Sequence, residues 1–140
     1  MKISKITLIN FFIIILFASN LLSETKPFDK WEEFSRCKNA KELISWLKDK
    51  AFCSLHPICN EKLIYNNETP KFDNNYGIFV TFIKNKKVRG CYGSFSHASY
   101  EIKDVLDDYL QGALRHDSRY APLMIDEIKD AKIVVTIATQ

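Results

Sequence analysis

The chain has 140 residues, the size of one domain rather than two. Hydrophobic residues make up 46% and charged residues 26%, the balance of a globular protein with a core. The formal charge of +3 comes from 20 basic and 17 acidic side chains, but Lys2 and Lys5 lie in an N-terminal leader without acids. The remainder therefore has 18 basic against 17 acidic groups, net +1, and the electrostatic case for nucleic-acid binding disappears.

The chain opens with "MKISK", a short basic region. "ITLINFFIIILFA" (Ile6 to Ala18) is an apolar run broken only by Thr7 and Asn10, and "SNLLSETK" turns polar. That layout reads as a secretory signal peptide over residues 1–23 and predicts export to a periplasmic or extracellular space. The run is shorter than the roughly 20 residues of a spanning helix. Extending it to Leu22 gives the alternative, an uncleaved membrane anchor. Residues 24–140 then form the domain. Outside the cytoplasm the four cysteines can pair, and of the three complete pairings a local Cys53–Cys59 bridge across Pro57 is favoured.

"NAKELISWLKDKAF" carries Ala40, Leu43, Ile44, Leu47 and Ala51 at helical spacing, with Asn39 as the N-cap. "CNEKLIYNNETPKFDNNYG" reads as a long surface loop with room for one edge strand near Leu63 to Tyr65. "YGIFVTFI", "KNKK" and "VRGCYGSF" predict a β-hairpin with a four-residue loop. Residues 78–83 lack clean polar alternation, so this strand is predicted to be central, with both faces covered.

"YEIKDVLDDYLQGAL" puts Ile102, Val105, Leu106, Tyr109, Leu110, Ala113 and Leu114 on one helical stripe, with Ser99 as its cap. "IDEIKD" gives one further helical turn and "KIVVTIAT" a final strand. Hairpin, helices and strand together predict an α+β fold, a central antiparallel sheet with packed helices.

Chemistry concentrates around "KVRGCYGSF". In an extended strand Arg89 and Cys91 stand on one face, where the guanidinium favours the thiolate that acts as nucleophile. Gly90 and Gly93 leave space for a ligand or another backbone. The competing reading makes Cys91 a small packed hydrophobe and the glycines the mark of a bulge. "RHDSRY" gathers His116, Asp117 and Arg119 past a helix C-terminus. These residues serve either as an acid/base group facing Cys91 or as a dipole-complementing loop pair.

His97 is either a Cys–His partner for Cys91 or a solvated loop residue. Cys53, His56 and Cys59 offer three metal-binding groups, but not at the spacing of a zinc knuckle, and no metal is predicted. No cofactor follows from any pattern.

"GIFVTFIKNKKVRGCYGSF", then "DSRYAPL", then "KIVVTIAT" resembles the AMMECR domain family. Gly77, Phe79, Val80 and Thr81 match its first strand, and Arg89, Gly90, Cys91 and Gly93 its central motif, with Val88 for Leu and Tyr92 for Ile. Asp117, Arg119, Pro122 and Leu123 match its third motif, with Ser118 and Ala121 in place of two prolines and Tyr120 in place of Phe. The resemblance covers about residues 40–140 and implies the N-terminal part of a longer α+β domain, expected as a natural half-domain, a truncated form or a part completed by a partner.

It implies a candidate site lined by Arg89 to Gly93 with Asp117 and Arg119. Through bacterial and archaeal members it implies a link to modification systems that include a radical S-adenosylmethionine protein. As an enzyme, the chain would use Cys91 as nucleophile or covalent anchor and Arg89 to hold the thiolate. Backbone N–H groups at Gly90 and Gly93 would then meet a small-molecule substrate. The alternative is a non-catalytic binding or assembly module that meets a protein partner through the glycine-rich hairpin and the exposed last strand.

Overall fold

A computed structural model describes residues 27–59, 62–71 and 75–139, and the leader lies outside these described residues. Seven elements follow in order: α1 (Pro27–Arg36), α2 (Lys38–Leu55), β1 (Gly77–Lys84), β2 (Lys87–Ser94), α3 (Ile102–Arg115), α4 (Ile125–Asp130) and β3 (Lys132–Ala138). None of the described helices is long and apolar enough to cross a membrane. The fold is α+β, with three antiparallel strands in the order β2-β1-β3 and helices packed against the sheet.

Alternation along β1 explains where the core sits. Ile78, Val80 and Phe82 point to one face and have no exposed surface. There they share a core with Leu47 of α2 and with Leu106, Leu110 and Leu114 of α3. Burying each such side chain is worth about 1.5–3 kcal/mol, so this face drives folding. Phe79, Thr81 and Ile83 point the other way and are only half-buried. The strand is central, as its apolar run predicts, but the expectation of two covered faces is corrected: among the described residues only the helix side is closed.

The hairpin is tighter than "KNKK" suggests. Only Asn85 and Lys86 lie between the strands, with φ of 51° and 63°. Positive φ at both central residues makes a two-residue turn whose twist matches the strands. Gly112 of α3 packs against this hairpin. A Cβ there would lie 2.3 Å from Cγ of Tyr92, so the missing side chain lets helix and strand approach.

Helix starts differ from the cap expectations. The cap of α2 is Cys37, not Asn39, and that of α3 is Glu101, not Ser99. Ser99 still ties the start of α3: its Oγ accepts the Glu101 N–H at 3.1 Å and donates to Asp104 at 3.2 Å. The segment after α2 has no strand among its described residues. Trp46 Nε1 donates to the Leu63 carbonyl at 3.2 Å, and Tyr65 Oη to that of Asn39 at 2.9 Å. Further along, Trp31 Nε1 donates to the Lys71 carbonyl at 3.2 Å. A disulfide joins Cys53 to Cys59, whose Cα atoms are 5.1 Å apart, leaving Cys37 and Cys91 as free thiols.

Candidate functional site

The central motif lies on β2, an edge of the sheet. Phe82 pairs with Gly90 but Ile83 pairs with Val88, so Arg89 is an extra residue and the strand bulges there. A bulge re-aims the side chain it carries. The Arg89 Nε and Nη2 donate to the Glu127 carboxylate at 2.7 and 3.0 Å, while Nη1 and Nη2 reach the carbonyls of Ala121 and Pro122 at 2.7 and 3.3 Å. Glu127 also accepts the Met124 N–H at 2.9 Å, and the Arg89 guanidinium holds its carboxyl below the usual carboxylate range. Arg89 thus pins α4 and the loop before it to β2, and its guanidinium is engaged by Glu127 and two carbonyls.

Cys91 sits opposite Thr81, whose Oγ1 donates to Sγ at 3.2 Å. The Cys91 backbone N–H turns away from β1 and donates to Asp117 Oδ2 at 2.8 Å. Asp117 accepts three more hydrogen bonds, all from Arg119: the backbone N–H at 3.1 Å, Nε at 2.9 Å and Nη2 at 2.8 Å. With its side chain only 6% exposed, the Asp117 carboxylate is a buried charge satisfied by four donors. Its pKa is lowered to about 2, chiefly by the Arg119 hydrogen bonds, and Arg119 in turn is raised by Asp117. The Arg119 guanidinium remains largely exposed, and Asp117 joins it to the backbone of Cys91.

The two glycines of the motif do not leave open space. A Cβ on Gly90 would lie 2.3 Å from the Ala113 carbonyl oxygen and 2.9 Å from Cδ1 of Leu123. On Gly93 it would lie 2.1 Å from the Ile78 carbonyl oxygen and 2.5 Å from Cδ1 of Phe79. Gly90 admits the end of α3, and Gly93 lets the Phe79 ring lie across the strand. Of the two neighbours expected beside these glycines, a ligand or another backbone, Gly90 meets the backbone of α3.

The structure links Cys91, Asp117 and Arg119 through hydrogen bonds, and binds Arg89 to Glu127. His97 contacts Tyr109 Oη through Nδ1 and the Tyr76 carbonyl through Nε2, both at 2.6 Å. Because a carbonyl only accepts, Nε2 carries a proton and the ring ties the loop after β2 to the core. His116 is the exposed C-cap of α3, its N–H bonded to the Gly112 carbonyl. His56 Nδ1 accepts the Ile58 N–H at 3.3 Å, beside the Cys53–Cys59 bridge.

Two features escaped sequence reasoning. Glu127 lies 38 residues beyond Arg89 in an ordinary acidic turn, and no local pattern marks it. The other is an open groove of about 590 Å³ between β3 and the first two helices, lined by Phe28, Trp31 and Phe34 of α1, Leu43 and Ile44 of α2, and β3 itself. Its signal was present: Phe28, Trp31 and Phe34 recur every three residues before the first predicted helix.

A family model described as AMMECR1 matches residues 38–140. A protein of Methanosarcina acetivorans is 34% identical over 71 residues, covering 51% of this chain and 35% of that protein. Proteins of Methanosarcina barkeri and Methanosarcina mazei are 32% and 35% identical over 72 residues, covering 51% of this chain and 35% and 36% of their own lengths. The match thus spans about a third of the length of these curated relatives.

Proposed function

The chain belongs to the AMMECR1 family, and from the geometry of this member we propose that it acts as a binding and assembly domain that accepts a partner strand along β3. One observation carries the reading. The two sheet edges are treated differently. The β2 edge is blunted by the Arg89 bulge and by the Asp117 carboxylate on the Cys91 N–H. By contrast, β3 pairs with β1 alone among the described residues, carries no charge or proline from Ile133 to Ala138, and borders an apolar groove. Proteins protect such edges with charges, prolines, bulges or cover, so an uncharged edge beside a groove is suited to a partner strand.

The thiol-enzyme reading is weaker because Arg89, its activating group, is bound to Glu127, and because Gly90 and Gly93 are filled from within. What still favours chemistry at Cys91 is the Thr81 hydroxyl on Sγ with Arg119 nearby. The leader, read as a signal peptide, places this binding activity outside the cytoplasm in the same proposal.

A fluorescein-labelled peptide with the sequence Lys132 to Ala138 serves as a test strand. Saturable binding to the full chain, lost when Val135→Lys introduces a charge on the groove side of β3, supports the reading. Absence of binding, or binding indifferent to that substitution, overturns it. Cys91→Ser should leave the binding unchanged, and a loss there would favour the thiol reading.

A further inference from the structure

We infer that the strand received by β3 is β3 of a second copy of this chain, an inference that rests on the strand-accepting reading above. Opposed residues in an antiparallel pair alternate between those that exchange hydrogen bonds and those that do not, and in the latter the side chains approach more closely. Cys91 gives its N–H to Asp117 rather than to Thr81, and the two side chains touch, so Thr81 and Cys91 form a non-bonded pair. Both backbone groups of Thr81 consequently face β3, where its partner is Val134. Alternation then turns the N–H and C=O groups of Ile133, Val135 and Ile137 outward.

Those three residues also line the groove, and Val135 and Ile137 are only half-buried against the core. A strand added to this edge needs side chains of the same kind at the same period, and β3 supplies them. A two-fold axis at Val135 sets it against Val135 of the second copy, and Ile133 against Ile137 of the second copy. Between them Val134 meets Thr136, and the one charge, Lys132, meets Ala138. Every pair from Ile133 to Ile137 is β-branched, a combination that stabilises cross-strand contacts, and no like charges meet. An axis through the edge and perpendicular to the sheet keeps the helices of both copies on one side. The two α1 aromatic rows are then brought towards each other over the joined strands. Such a contact is isologous and closes as a dimer.

Sedimentation equilibrium on the full chain tests the inference, with Val135→Lys and Val135→Pro as variants and thermal unfolding by circular dichroism as the check on folding. The lysine would oppose its own symmetry mate. The proline removes an outward N–H while leaving the pairing with β1 intact. A concentration-dependent dimer, reduced to monomer by both variants and by excess Lys132–Ala138 peptide, is the expected result. A dimer unaffected by either folded variant overturns the inference. A monomer that binds the peptide overturns the second copy as occupant but leaves the strand-accepting reading standing, and a monomer that does not bind it overturns both.

Discussion

The Asp117 carboxylate accepts the backbone N–H of Cys91 at 2.8 Å, linking the loop after α3 to an edge strand 26 residues earlier. Because the same carboxylate holds Arg119, one buried charge covers the β2 edge and orders the loop at once. The folded pKa, about 2, lies below the ordinary 3.8. The stability that Asp117 contributes is therefore complete above about pH 4 and is lost as pH falls through 2. Discounted for the solvent around the exposed Arg119, it amounts to about 1–2 kcal/mol. Urea unfolding of Asp117→Asn at pH 7 should show a loss of that size, with the gap to the parent protein closing as pH falls from about 4 towards 2.

Arg89 and Glu127 should behave as a structural latch. Their side chains are 22% and 20% exposed, and the guanidinium also caps two carbonyls. Arg89→Ala should cost about 2–3 kcal/mol, because it leaves a half-buried carboxylate without its partner. A double-mutant cycle with Glu127→Gln should give a coupling of about 1–2 kcal/mol. The alkylation rate of Cys91 should stay the same in folded Arg89→Lys, whereas a group activating the thiol would change it.

Glycine substitutions should separate by what the new methyl meets. At Gly90 it meets the Ala113 carbonyl, part of a helix backbone that cannot turn aside, and Gly90→Ala should destabilise by about 1–3 kcal/mol or more. At Gly112 it meets Cγ and Cβ of Tyr92 at 2.3 and 2.9 Å, atoms at the root of that side chain which rotation of the ring does not clear, while alanine gains about 1 kcal/mol of helix propensity. Gly112→Ala should therefore also destabilise, by less than Gly90→Ala only to the extent of that propensity gain, as thermal melts of the two variants will show.

The cysteines should label in two classes. Cys37 and Cys91 are free and half-buried, so both should be alkylated in the native, unreduced protein, while Cys53 and Cys59 should label only after reduction. Peptide mapping by mass spectrometry reads this directly. The same map reports whether residues 1–23 are retained, which bears on the export proposal.

Periodicity made α2, α3, the hairpin and β3 legible, because each buries a repeating apolar face that local spacing displays. The short α1 was missed: its apolar residues are three aromatics spaced three apart, held by partners such as Tyr76 that lie far along the chain. The two-residue turn was obscured because a lysine, not a glycine, occupies its second left-handed position. At the site, Asp117 and Arg119 could be paired on sequence. The bulge at Arg89 could not, since register is fixed by strand pairing and Glu127 is reached only through the tertiary fold. The glycines were conspicuous, but what fills the space beside them is set by the approach of α3 and Phe79.

Amide hydrogen exchange along β3, measured on the full chain over a range of concentrations, tests the central claim most directly. If β3 receives a strand from a second copy, the outward amides of Ile133, Val135 and Ile137 should be protected at high concentration and lose that protection on dilution. The inward amides of Val134 and Thr136 should stay slow throughout. Outward amides that exchange as fast as an unpaired edge at every concentration, while the inward ones stay protected, would contradict it.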